Sequence, residues 1–171
     1  MNRAKSGIVL IGMPGCGKST LGKVLANELN YKYFDMDSYI EEKTDKSISE
    51  LFKNGEDYFR DIESEACIEL SKKKRCLISS GGGVVKRKEN IEILKENFIL
   101  VFIDRPLEEI ANDIQVSTRP LLKDGKEKLY ALYDERYDLY KNAADIIIVN
   151  DKYIKDTIDK CKSKLKNLIK L

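Results

Sequence analysis

The segment Ile8-Val9-Leu10-Ile11-Gly12-Met13-Pro14-Gly15-Cys16-Gly17-Lys18-Ser19-Thr20 decides how the rest of the chain is read. Four consecutive apolar residues ended by glycine describe a short strand buried on both faces. Beyond the glycines, Leu21, Val24, Leu25 and Leu29 recur at helical spacing, so the order is strand, glycine-rich loop, helix. Residues 12–19 satisfy G-x-x-x-x-G-K-[ST] in full. At ordinary glycine frequency such a match arises by chance in about one chain in a hundred of this length. Here the strand before it and the helix after it are present as well. Glycines let successive N–H groups converge on phosphate oxygens, and the helix N-terminus adds partial positive charge. Lys18 is placed to reach the β- and γ-phosphates and the Ser19 hydroxyl to ligate Mg²⁺. The reading is a nucleoside triphosphate site formed by Gly15, Cys16, Gly17, Lys18, Ser19 and Thr20. A merely tight strand-to-helix turn does not explain why lysine follows the third glycine. Cys16 is read as a small side chain the loop permits, with a reactive thiol at a helix N-terminus as the alternative.

The same alternation continues outward. Tyr33-Phe34, Leu77-Ile78, residues 99–103 and residues 146–149 read as further strands with helical patterns between them. Ser47 and Glu50 have capping-box spacing ahead of Leu51-Phe52, and Pro106 marks a helix start before Leu107 and Ile110. The expectation is an α/β, three-layer fold: a five-stranded parallel sheet flanked by helices, of the P-loop NTPase type. The 171 residues form a single domain, 1–171, on this reading. The polar stretch 112–126, with Arg119-Pro120 inside it, reads as a mobile surface lid. Near the end, Ile154, Ile158, Cys161, Leu165 and Ile169 share one helical stripe, expected to pack on the sheet while the lysines face water.

Composition narrows the chemistry. Lysine plus arginine number 31 against 29 acidic residues, for a net charge of +2 with the signs interspersed, which argues against a dedicated nucleic-acid binder. No apolar run approaches the ~20 residues of a membrane span. Four separated cysteines without a CxxC pair support neither a disulfide framework nor a zinc site, and a reducing cytoplasm is expected. There is no histidine, so Ser-His, Cys-His and His-base mechanisms are excluded. Any catalysis rests on carboxylates, lysine, arginine, hydroxyls, backbone amides and a metal.

Carboxylates stand at two strand ends. Asp35 and Asp37 are two apart, so in an extended segment both face the crevice at the carboxyl edge of the sheet, one for a metal and one for an acceptor hydroxyl. Asp104 is either a lone metal residue or the cap of the following helix. Only seven of the basic residues are arginines, so their placement is informative. Arg60 and Arg136 are candidate clamps for an acidic small molecule, because a guanidinium fork binds a carboxylate in two parallel bonds. Glu63, three residues after Arg60, is placed to hold it. Simple surface ion pairs are the competing reading of each arginine. Gly81-Gly82-Gly83 after the third strand lets a ligand approach bare backbone, or is a plain turn.

Taken in order, the glycine loop, Phe34 to Glu41 with its two aspartates, Gly55-Glu56 with Phe59-Arg60 and Glu63, the glycine triplet, Arg119-Pro120-Leu121-Leu122 and Arg136 with Leu139-Tyr140 resemble shikimate kinase across nearly the whole chain. The resemblance implies transfer of the ATP γ-phosphoryl group to the 3-hydroxyl of shikimate. It implies a shikimate pocket of Asp37, Arg60, Gly82 and Arg136, within a substrate segment at about 35–63. Asp35 joins Ser19 on the Mg²⁺ side, and Lys18, Asp37 and Arg119 are the catalytic set, with Arg119 also touching ATP. Shikimate and ATP are then the partners of a cytoplasmic monomer. One departure stands out: where the family has an arginine stacking on adenine, seven residues before Arg119, this chain has Asn112. Loss of that stacking is worth about 0.5–2 kcal/mol of nucleotide binding. Asn150 falls where a second adenine-contacting loop begins in the family, or else starts a turn. Two other readings remain: a related kinase for another small acidic or polyol acceptor such as gluconate, and a nucleotide-dependent switch without transfer activity.

Overall fold

Five strands lie parallel in the order β2-β3-β1-β4-β5 in the computed structural model, which describes residues 4–114 and 125–169. They are β1 (Gly7–Ile11), β2 (Lys32–Asp35), β3 (Cys76–Ser79), β4 (Phe98–Asp104) and β5 (Ile146–Val149). The central strands β1 and β3 are buried throughout and β4 up to its last residue, as continuous apolar runs in a sheet covered on both faces should be. Ile8 pairs with Leu77 on one side and Ile99 on the other. The chain leaves β1 for the far side of β3 and later passes to β4 on the opposite side. A crevice therefore opens at the carboxyl end of β1, where ligands bind in such sheets.

The helices are α1 (Lys18–Glu28), α2 (Met36–Thr44), α3 (Ile48–Phe52), α4 (Glu56–Leu70), α5 (Lys88–Asn97), α6 (Leu107–Ile114), α7 (Lys126–Ala143) and α8 (Ile154–Leu165), with a 3₁₀ turn at Val84–Lys86. Right-handed crossovers place α1 and α8 on one face and α4, α5 and α7 on the other. Consistent with this, α1 packs on α8 and α4 on α5. All five expected strands are present. The capping box at α3 is formed in both directions: Glu50 N–H donates to Ser47 Oγ (3.2 Å) and Ser47 N–H to Glu50 Oε2 (2.7 Å).

Three expectations are corrected. The region expected as a loop from 112 is helical to Ile114, because Ile110 and Ala111 still have a buried face to extend, and Lys126 already begins α7; residues 115–124, including Arg119, lie outside the described residues. Asp104, read as a metal residue or a helix cap, has a partner that reading did not include: its Oδ2 accepts from Tyr137 OH at 2.8 Å, tying β4 to α7. In the terminal stripe, Ile158, Cys161, Leu165 and Ile169 are buried, but Ile154 is exposed because it is the first residue of α8.

The glycine loop is held in place by the close approach of α1 to the sheet. An ideal Cβ on Gly22 would stand 2.5 Å from Ser79 Oγ and 2.8 Å from Tyr33 Cε2. No side chain fits there without moving α1 off β3. Gly22→Val is expected to cost about 1–3 kcal/mol by overpacking, read as a lower urea midpoint; an unchanged midpoint would show that α1 can shift freely.

Candidate active site

The glycine loop joins β1 to α1 through Gly17, whose left-handed φ of 99° favours a residue without a Cβ. The first helical bond is Leu21 N–H to Gly17 O, at 2.9 Å. Helix geometry leaves the N–H groups of Lys18, Ser19 and Thr20 without an intrahelical acceptor, which is the arrangement that suits phosphate. The Lys18 ammonium curls back over the loop and donates to Gly12 O (2.7 Å) and Met13 O (3.0 Å). Carbonyls of the loop are tied to three strand ends. Arg105 Nη1 donates to Gly15 O (3.0 Å), Asn150 Nδ2 to Cys16 O (2.9 Å) and Ser79 Oγ to Lys18 O (2.9 Å). Asn150 is oriented in turn by the wholly buried Thr157, whose hydroxyl donates to Asn150 Oδ1 at 2.9 Å.

Ser19 and Asp35 meet beside the loop, the hydroxyl donating to Asp35 Oδ2 at 3.1 Å. Asp35 also caps α2, its Oδ1 accepting from Ser38 N–H at 3.0 Å. One hydroxyl and one carboxylate are hard oxygen donors that fit Mg²⁺, which keeps several waters and phosphate oxygens in its shell. No group of three or more His, Cys, Asp or Glu side chains suited to a metal occurs among the described residues. The fit is thus to a nucleotide-borne ion rather than to a protein cage.

Next to the loop lies a cleft of about 770 Å³, in which Pro14 of the glycine loop shares the wall with Asp37, Arg60, Gly82 and Arg136. Asp37 does not share an extended segment with Asp35, as expected from their spacing, but sits in the first turn of α2, which begins directly after Asp35. Burial, then the neighbouring Asp35 and Glu63 carboxylates, push its pKa up to about 6, against the opposing pull of Lys18. Arg60, on α4, is buried and donates through Nη1 to Glu63 Oε1 at 2.8 Å. Its guanidinium also lies over the stacked rings of Phe52 and Phe59, 5.7 and 5.2 Å from their centroids. Gly83 is bare for the sake of this group: an ideal Cβ there would be 2.2 Å from Arg60 Nη2. Arg136, on α7, is likewise buried, and Gly82 is pressed between its Nη1 and the Pro14 ring. Tyr140, one turn further along α7, donates its hydroxyl to Gly82 O. Burial raises the Glu63 pKa, countered by Arg60.

The sequence-derived residues therefore gather as two adjoining groups. Gly15, Cys16, Gly17, Lys18, Ser19, Thr20 and Asp35 form the loop side, and Asp37, Arg60, Gly82 and Arg136 the cleft side. Asn112 lies exposed on α6, beside the Asp113 carboxylate that accepts from Arg105 at 2.7 Å. Sequence reading missed the braces Arg105 and Thr157, which carry no local motif, and singled out Asn150 as the start of an adenine-side loop or of a turn, without its bond to the glycine loop. It also missed the role of Tyr140, although the i, i+4 spacing from Arg136 puts both on one face of α7.

A phosphate-binding loop at the end of β1, an adjoining hydroxyl–carboxylate pair and a polar cleft lined by buried guanidinium groups define a P-loop phosphotransferase of small molecules. The family model described as shikimate kinase matches residues 14–166, and the chain belongs to the shikimate kinase family. It is 58% identical over 158 residues to the shikimate kinase of Clostridium beijerinckii, covering 92% of this chain and 94% of that one. A shikimate kinase of Clostridium botulinum strain Eklund 17B is also 58% identical, over 96% of this chain and 98% of its own. The solved shikimate kinase of Acinetobacter baumannii in complex with shikimate superposes with a TM-score of 0.87 at 32% identity, covering 97% of this chain and 96% of that one.

The raised pKa of Asp37 has a consequence for stability. Below the unfolded value of 3.8 the carboxyl is neutral in both states; above about 6 it is charged in both, and the folded protein bears the cost of burying the charge. Stability from this group is thus complete at low pH and is lost as pH rises from about 4 to 6. Asp37→Asn is expected to raise stability at pH 7.5 by about 2–3 kcal/mol. That gain should vanish towards pH 4 in paired thermal melts, and an equal gain at both pH values would contradict it.

Proposed function

We propose that this chain transfers the γ-phosphoryl group of ATP to the 3-hydroxyl of shikimate, giving shikimate 3-phosphate and ADP. The observation that carries the reading is the shared cleft in which Asp37, Arg60, Gly82 and Arg136 meet beside the glycine loop. Arg60 and Arg136 hold the ring carboxylate, and the Gly82 backbone borders the ring. Asp37 accepts the proton of the 3-hydroxyl as its oxygen bonds to the γ-phosphorus and the bond to the β-phosphate oxygen breaks. A carboxylate whose pKa lies near 6 is ionised at neutral pH, yet more basic than an ordinary aspartate. The N–H groups at the start of α1 and the Lys18 ammonium neutralise the phosphates. Ser19 and Asp35 would hold the Mg²⁺ that accompanies ATP, which would supply positive charge to offset the phosphates. Arg119, which lies outside the described residues, supplies a further cation to the transferred group. All four cysteines are free and buried, which supports a reducing, cytoplasmic setting. Among the described residues no helix is long and apolar enough to cross a membrane.

A coupled ADP-release assay with shikimate and gluconate side by side tests this directly. Shikimate-dependent ADP formation is expected, with kcat/KM rising with pH through about 6 as Asp37 ionises. Equal rates with gluconate, or ADP release indifferent to shikimate, would overturn the assignment. Asp37→Asn should retain ATP and shikimate binding by calorimetry while turnover falls about 10²–10⁴-fold; near-normal turnover would remove Asp37 from its role. Arg119→Ala is expected to lower kcat by about 10³-fold or more with little change in shikimate affinity, and equal losses in both would count against a transition-state role.

A further inference from the structure

The walls of the cleft carry more carboxylates than cations. Asp37, Glu41 and Glu63 join Glu56 and Glu135, against Arg60, Lys86, Lys128 and Arg136. An anionic substrate entering such a cleft must draw the guanidinium groups away from carboxylates that already hold them. Two of those carboxylates stand at the mouth, half-exposed. Glu56 Oε1 accepts from Arg60 Nε and Nη2, both at 3.3 Å, and Glu135 Oε1 accepts from Arg136 Nε at 3.4 Å. The same two oxygens are shared by a third cation. Lys86 Nζ lies 2.5 Å from Glu56 Oε1 and 3.3 Å from Glu135 Oε1, bridging α4 to α7.

Lys86 is well placed to hold its position. It ends the 3₁₀ turn that directly follows the glycine triplet, and its N–H donates to Gly83 O at 3.0 Å. Val84 and Val85 are buried, and Asn90 Nδ2 donates to Val84 O at 3.1 Å. Glu56 is held below the usual carboxylate pKa range chiefly by its hydrogen bond from Lys86, with Arg60 contributing less.

We propose that Lys86 is a positioning residue for the acidic substrate: it retains the Glu56 and Glu135 carboxylates at the cleft mouth so that Arg60 and Arg136 are free to turn their donors to the substrate carboxylate. This rests on the reading of Arg60 and Arg136 as the carboxylate clamp. Lys86 acts through the two glutamates and needs no contact with substrate. Without it, the guanidinium bonded to each glutamate is the one the substrate needs, and the two compete for it.

Steady-state kinetics of Lys86→Met, Lys86→Met/Glu135→Gln, Glu135→Gln and Arg136→Met, with shikimate and ATP varied separately at low and high salt, test the proposal. Lys86→Met should raise the KM for shikimate five- to tenfold at low salt, less at high salt, with kcat and the KM for ATP changed less than twofold. Adding Glu135→Gln should bring the shikimate KM at least halfway back, whereas Glu135→Gln alone, with Lys86 present, should change it less than twofold. An unchanged KM in Lys86→Met, or a further rise in the double variant, overturns the proposal, the latter because it would mean direct contact with substrate. If Arg136→Met leaves the shikimate KM unaltered, the clamp reading itself fails; if Arg136→Met raises it and Lys86→Met does not, only the role of Lys86 fails.

Discussion

Arg60 is a buried guanidinium beside a carboxylate, Glu63, that is wholly shut off from solvent. Taking both charges out of water is expensive. The pair persists because its geometry is good, at 2.8 Å, and because removing one partner would strand the other at a cost of about 3–5 kcal/mol. Much of the cleft follows from accommodating this pair. Phe52 and Phe59 stack at 4.3 Å under the guanidinium plane, and Gly83 gives up a side chain so that the backbone can pass beneath it. Glu63 Oε2 has no hydrogen-bond partner among the described residues, and it stands where a Cβ on Gly81 would come within 3.0 Å. An arginine held this firmly cannot swing into water, so its free donors stay directed at whatever occupies the cleft.

Sheet topology brings this pair to the phosphate loop. Because β3 lies between β2 and β1, the aspartates ending β2 and the glycines following β3 stand side by side at the carboxyl edge, next to the loop that follows β1. The loop is braced from both directions along the sheet, by Ser79 at the end of β3 and by Arg105 and Asn150 beyond the ends of β4 and β5. The ends of β3, β4 and β5 thus brace the loop, while Asp35 at the end of β2 stands beside Ser19. Asp104, at the end of β4, pins Tyr137 of α7.

The strand-loop-helix core was legible because continuous apolar runs, glycine and helical periodicity each have a local physical cause. Ser47 and Glu50 were legible for the same reason, since a capping box is complete within four residues. Asp37, Arg60, Gly82 and Arg136 were readable as chemistry in isolation, and only a resemblance spanning many segments joined them into one pocket. Their convergence depends on a non-sequential strand order that no local pattern encodes. The brace made by Asn150, and Thr157 behind it, was not legible because the bond from Asn150 to Cys16 crosses 134 residues of sequence. The end of α6 was misplaced because a helix continues while a buried face remains to extend, even where the sequence turns polar. Lys86 and Glu135 looked like surface charges; their shared oxygens with the clamp arginines exist only once α4, α7 and the 3₁₀ turn come together.

Charge at this edge of the sheet is arranged against the stability of the fold. The Asp35 and Glu63 carboxylates raise the cost of ionising Asp37, and burial raises that cost for both Asp37 and Glu63. A core of apolar β1, β3 and β4, in a sheet buried on both faces, can tolerate a site that costs about 2–3 kcal/mol. What is gained is a carboxylate more basic than an ordinary aspartate, in a cleft that also holds the buried Arg60 and Arg136. Lys18 opposes that rise: its charge pulls the Asp37 pKa down against three carboxylate neighbours and burial, and the value reached, about 6, leaves the group ionised at neutral pH. The lysine of the phosphate loop thus serves the acceptor side of the site as well as the nucleotide side, which links the two halves of the cleft electrostatically as Pro14 links them by contact.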